Sequence, residues 1–213
     1  MKETLIISYL LENKKDNYSI RSISKAVNID YKNTHNIIKR LESQGIISLE
    51  QFGNANKINL EQKNHPFLFK TEFERREKIF KNKNIKLIYE QLNELNKSFI
   101  ALLFGSQVRK PSEKSDYDLL IISEECREIE TNLSILNLDI HVNSITHDEF
   151  IQMLQSNEFS VVSEAVNHNI VLIGIENYYK LIENANKTTN KRGRTKRKDI
   201  SKRQTAKKRK KSK

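Results

Sequence analysis

At 213 residues, with 31% charged and 37% apolar residues, the chain is long enough for one ordinary domain or two small ones with a modest core. No apolar run approaches the roughly 20 residues of a spanning helix. Met1-Lys2-Glu3-Thr4 brings in an acid at once, and Cys126 has no disulfide partner, so membrane and secreted classes give way to a cytoplasmic expectation.

The net charge of +11 is concentrated at one end. Between Lys187 and Lys213 lie 15 Lys or Arg against one acid, Asp199, which leaves residues 1–186 at −3. This stretch is nearly devoid of apolar residues. Residues 185–213 are therefore expected to form a disordered basic tail that either solubilises the chain or holds nucleic acid non-specifically and salt-sensitively.

Leu5, Ile6, Tyr9 and Leu10 recur with helical spacing and predict a first helix over 2–13. Ser19 can cap a second helix whose inner side is Ile20, Ile23 and Val27, with Asn28 ending it. Asp30 can cap a third, with Thr34, Ile37, Ile38 and Leu41 inward and Gly45 as its stop. Lys32, Asn33, Asn36, Lys39 and Arg40 then occupy the opposite face. Two short strands, Ile46 to Leu49 and Lys57 to Leu60, flank Phe52-Gly53-Asn54-Ala55 as a wing. Three helices and a hairpin are the arrangement that presents a recognition helix to the major groove, where Lys and Arg suit phosphates or guanine and Asn suits adenine. The segment SIRSISKAVNIDYKNTHNIIKRLESQGIISLE resembles the winged-helix regulators of prokaryotes, and residues 1–64 are read as a winged helix-turn-helix. Such modules bind DNA or serve in protein docking and homodimer formation.

Residues 65–97 read as connecting helices: Asn64-His65-Pro66 breaks off the wing, with Pro66 acceptable at a helix start, Thr71 and Glu74 have capping-box spacing, and Phe73, Ile79 and Phe80 form an apolar stripe. A further helix carries Ile85, Leu87, Ile88, Leu92 and Leu95 after the polar run Lys81 to Asn84.

The chemistry-bearing pattern begins at a buried strand, Phe99 to Phe104, that runs into Gly105-Ser106. Asp116-Tyr117-Asp118 precedes a second apolar strand, Leu119 to Ile122, and a third expected strand, Leu136 to Val142, carries Asp139. Alternation puts Asp116 and Asp118 on one face, where their carboxylates can share hard cations such as Mg²⁺. Gly105 permits a close backbone approach, Ser106 opens a helix whose amide end favours phosphate, and Arg109 lies one turn further on. His141 faces the same side as Asp139, either to approach the site or to make a structural hydrogen bond. Thr146 and Glu149 have capping-box spacing, and Tyr178 and Tyr179 read as packing.

The strings LLFGSQVRKPSEKSDYDLLII and LNLDIHVNS resemble the minimal nucleotidyltransferases of the DNA polymerase beta-like superfamily, with Lys110 where many relatives have glycine. The resemblance runs on through NIVLIGIENYYKLI. It implies an α+β or α/β chain in which residues 98–184 form a small mixed-sheet nucleotidyltransferase domain behind the winged helix. It also implies two Mg²⁺ ions on the catalytic Asp116, Asp118 and Asp139, with a nucleoside triphosphate, ATP being the expected one, held by Gly105, Ser106 and Arg109. The implied reaction moves a nucleoside monophosphate to a protein, nucleic-acid or small-molecule hydroxyl. A small helical protein partner in an antitoxin-like role is a further implication. The competing reading is a DNA-binding regulator whose second domain binds nucleotide or a partner without turnover.

Overall fold

The computed structural model describes residues 1–14, 17–52, 55–112, 115–156 and 159–187. The basic tail beyond residue 187, and the turn at Gly53-Asn54, lie outside the described residues. The first unit comprises α1 (Lys2–Glu12), α2 (Ile20–Ala26), α3 (Tyr31–Ser43) and the antiparallel pair β1 (Ile47–Phe52) and β2 (Ala55–Leu60). Ser19 and Ser22 cap α2 reciprocally, and the Asp30 side chain accepts the Asn33 amide at the start of α3. Asn28 and Gly45, at φ 52° and 68°, make the left-handed turns that stop α2 and α3. Thr34, Ile37, Ile38 and Leu41 are buried, as the periodicity requires.

Then follow α4 (Pro66–Ile79) and α5 (Lys83–Glu94). Of the two start signals, Pro66 marks the beginning of α4, where His65 Nδ1 accepts the Phe67 amide, and the capping-box spacing at Thr71 does not. Thr71 sits inside the helix and donates its hydroxyl to Phe67 O. Phe73 and Leu87, expected inward, are exposed, and the Arg76 guanidinium covers the Phe73 ring.

The remainder is β3 (Ile100–Phe104), α6 (Ser106–Arg109), β4 (Tyr117–Ile122), α7 (Cys126–Leu133), β5 (Ile140–Ile145), α8 (His147–Ser156), α9 (Val161–Asn167), β6 (Ile170–Ile173) and a last helix α10 over 175–187. The third strand starts at Ile140, four residues later than expected, because Leu136 and Leu138 pack from the connection after α7. Helix α10 continues two residues past the expected start of the tail, with Ala185 buried.

The four-stranded sheet is mixed, in the order β5-β4-β3-β6, with only β4 and β5 parallel. Alternation along β3 and β4 divides the core. Ala101, Leu103, Tyr117, Leu119 and Ile121 face α5 and α7, whereas Ile100, Leu102, Phe104, Leu120 and Ile122 face a cluster that continues into the first unit through Leu68 of α4. Among the described residues the chain is thus a mixed α+β protein with two small sheets, and no helix is long and apolar enough to cross a membrane.

Helix α4 is more than a connection. On it, Glu72 and Arg75 form a buried ion pair at 2.7 Å, Tyr179 donates its hydroxyl to Glu72, and Arg75 donates to Asn169 O. One helix therefore fastens the first unit to the strand and helix that end the described chain.

Candidate active site

Strand β3 ends at Phe104, which pairs with Asp118 across the sheet, so the next residue passes beside the Asp118 side chain. That residue is Gly105, at φ 72°; a Cβ there would stand 2.0 Å from Asp118 Oδ2. The glycine is therefore demanded by the carboxylate as well as by the left-handed backbone. Helix α6 is a single turn, with the Ser106 side chain exposed at its start.

Gln107, fully buried, donates through Nε2 to Ser112 O at 2.8 Å and Ser115 O at 2.7 Å. It ties down both sides of the connection leading to Asp116. Sequence reasoning passed over it because these bonds are made to backbone oxygens that carry no residue signature.

The parallel register sets Asp118 opposite His141, and the Tyr117 amide donates to Asp139 O at 2.9 Å, so the acid-bearing ends of β4 and β5 are held side by side. His141 stands among the three acids. Its Nδ1 is 3.7 Å from Asp116 Oδ2 and 3.7 Å from Asp118 Oδ1, and its Nε2 is 3.6 Å from Asp139 Oδ1. Of the two readings left open for His141, the structure favours approach to the site. One ligand atom each from Asp116, Asp139 and His141 lie within 4.8 Å of one another, a spread that fits one divalent cation.

Burial, followed by the charges of Asp116 and Glu164, raises the Asp118 carboxyl above its ordinary range, while His141 pulls it back. The cluster opens to solvent: Asp139 is 75% exposed and Asp118 29%.

Arg109 is one turn beyond Gly105 as expected, but its guanidinium is ion-paired with Glu164 of α9. Glu164, which sequence reasoning also missed, thereby touches the electrostatics of both the acids and the basic residue. The pair spans 55 positions of chain, and no local spacing signals it.

On α3, Lys32, Asn33, Asn36, Lys39 and Arg40 are all exposed on one face. Several of them have internal partners: Arg40 pairs with Glu3, Lys39 with Glu42 at 2.9 Å, and Asn33 bonds Asp30. Next to this face a groove of about 700 Å³ is lined by Arg21, Lys25, Tyr31 and Asn56.

Compared with family models, curated proteins and solved structures, the chain matches none of them. The functional reading therefore rests on the residues and their geometry.

Proposed function

We propose that the chain is a metal-dependent nucleotidyltransferase of the polymerase beta-like type carrying a DNA-binding winged helix. The observation that supports this most is the close approach of Gly105 to Asp118, on the same end of the sheet where one ligand atom each from Asp116, Asp139 and His141 lie within 4.8 Å of one another. Asp116, Asp118 and Asp139 would hold the divalent cations, Mg²⁺ in this reading; when bound, these ions would offset charge on the attacking and leaving oxygens of phosphoryl transfer. The Ser106 hydroxyl and amide, at the opening of α6, hold a phosphate oxygen of a nucleoside triphosphate, ATP in the simplest case. Arg109 adds a planar cation once it turns from Glu164 toward the phosphates. The open face at Asp139 leaves room for an acceptor hydroxyl, whose oxygen would bond to the α-phosphorus as the α–β bond breaks and pyrophosphate leaves, and whose proton would pass to a carboxylate of the cluster.

In this reading the three-helix unit meets DNA through Lys32, Asn36 and the groove between α2 and β2, and the basic tail adds non-specific attraction. A small helical protein remains a candidate acceptor.

One observation favours a second reading, a DNA-binding regulator that holds nucleotide without turnover: Arg109 is engaged by Glu164 rather than presented to the phosphate position. Incubation with α-labelled nucleoside triphosphate, Mg²⁺ and an extract of the source cells separates the two. The enzyme labels an acceptor, and Asp116→Asn and Asp118→Asn do not. Nucleotide binding by the wild type with no label on any acceptor establishes the regulator instead.

A further inference from the structure

The resemblance to nucleotidyltransferases accounts for the three aspartates and leaves the imidazole in their midst without a role. Both ring nitrogens of His141 face carboxylates, Nδ1 those of Asp116 and Asp118 and Nε2 that of Asp139. Distances of 3.6 to 3.7 Å are too long for hydrogen bonds. From Nδ1, the distances to Asp116 and Asp118 lie a few tenths of an ångström outside the roughly 3 to 3.5 Å that separates neighbouring ligand atoms when metal bonds measure about 2.0 to 2.2 Å, and one ligand atom each from Asp116, Asp139 and His141 lie within 4.8 Å of one another. Among the described residues no Lys or Arg forms an ion pair with Asp116, Asp118 or Asp139, since Arg109 is turned to Glu164.

Resting on the metal-dependent reading above, we infer that His141 is a direct nitrogen ligand of this cluster, so that the site takes a divalent transition ion such as Mn²⁺ in preference to Mg²⁺. Carboxylates alone suit Mg²⁺, a hard ion that keeps oxygen ligands and several waters. An imidazole in the same set shifts selection toward the transition series. The surroundings suit a ligand histidine. Whichever ring nitrogen binds the ion, the other faces a carboxylate that can accept its N–H and hold the tautomer: Asp139 on one side, Asp116 and Asp118 on the other. Register makes the placement firm, because His141 is the direct parallel partner of Asp118 on the neighbouring strand. With its side chain 57% exposed, His141 can be replaced without opening the core.

The experiment is metal binding by the untagged, nucleotide-free full chain at pH 8. Free Mn²⁺ is followed by electron paramagnetic resonance, Mg²⁺ by competition, and Co²⁺ by its visible absorption, which reports nitrogen ligation. The wild type is expected to bind Mn²⁺ at least about tenfold more tightly than Mg²⁺. His141→Ala is expected to weaken Mn²⁺ about 10- to 100-fold, the scale seen for partners that tune a metal site, while Mg²⁺ changes less than about threefold. The Co²⁺ spectrum should lose its nitrogen signature in this variant, and a circular dichroism melt verifies that it folds. Equal Mn²⁺ affinity in wild type and His141→Ala, with Asp116→Asn and Asp118→Asn weakened, overturns the role of His141 and leaves the transferase reading standing. A wild type that binds none of the three ions overturns both.

Discussion

Gly105 shows how one residue couples backbone to chemistry. Its positive φ and the 2.0 Å approach of an added Cβ to Asp118 Oδ2 mean that Gly105→Ala must displace either the strand end or the carboxylate. The expected outcome is a loss of about 1 to 3 kcal/mol in urea denaturation, together with loss of metal and nucleotide binding. Full stability with intact binding would show that the turn relaxes at no cost to the acids.

Lys14 tests the same coupling through pH. Its Nζ donates to Val166 O at 2.7 Å, and although part of the stem reaches solvent, burial of the charged end lowers its pKa to about 8; Glu72 opposes the shift and Arg75 adds to it. Between about pH 8 and 10.5 the unfolded chain then holds a proton that the folded chain has released, so this group adds stability as pH rises through that window. Compared with Lys14→Met, the wild type should gain on the order of 1 to 2 kcal/mol between pH 7.5 and 10 in urea denaturation. A constant difference across that range would mean that Nζ stays solvated.

Among the elements, α4 concentrates the risk. The Glu72–Arg75 pair is almost completely buried; Tyr179 donates to Glu72 and Arg75 donates to Asn169 O, while among the described residues Arg75 Nε makes no hydrogen bond and lies 3.7 Å from Glu12 Oε1. Arg75→Met removes the ion-pair partner of the buried Glu72, leaving it the Tyr179 hydroxyl and the more distant Lys14, and is expected to cost about 3 to 5 kcal/mol, whereas the double change Glu72→Leu with Arg75→Met recovers most of it. Thermal and urea melts of the three variants measure this; a double variant as unstable as the single one would assign the loss to packing.

Element by element, legibility followed the reach of each signal. The inner face of α3, the cap at Asp30 and the turns at Asn28 and Gly45 were readable because each rests on neighbours within one or two turns. The reciprocal bonds between Thr146 and Glu149 belong with them. At the start of α4, Pro66 is a true signal, whereas the Thr71-x-x-Glu74 spacing is not, because it also occurs within a helix, where the threonine hydroxyl bonds back to Phe67 O. Strand β5 was placed early because Leu136 and Leu138 contribute to the core without joining the ladder. In the candidate site, Gly105, Ser106 and the three aspartates were visible in one short pattern, whereas Gln107 and Glu164 act through tertiary partners and left no mark in the sequence.

At the scale of the whole molecule, the proposed function joins a DNA-facing unit to a metal–nucleotide site across one continuous core. The exposed face of α3 has fewer free cations than its sequence suggests, since Lys39 and Arg40 are engaged by Glu42 and Glu3. Changing Lys32, Arg21 and Lys25 to Ala together should therefore weaken DNA binding more than changing Lys39 and Arg40, and should lower the salt slope by about one for every phosphate that is no longer neutralised. Asn36→Ala should mainly relax sequence preference. Gel-shift titrations at several salt concentrations measure both effects; binding that ignores all of these substitutions and depends on residues 188–213 alone would assign DNA contact to the tail.

In the proposed function, Gly105, Ser106 and the acids at one end of the β3, β4 and β5 strands form a single site for metal and triphosphate. Calorimetric titration of a non-hydrolysable ATP analogue into the full chain, with and without Mg²⁺ or Mn²⁺, tests it most directly. Binding that requires the divalent ion and is lost in Asp118→Asn and Gly105→Ala, both shown to be folded by circular dichroism, is the result predicted. Binding that is indifferent to metal, or unchanged in those two variants, would contradict it.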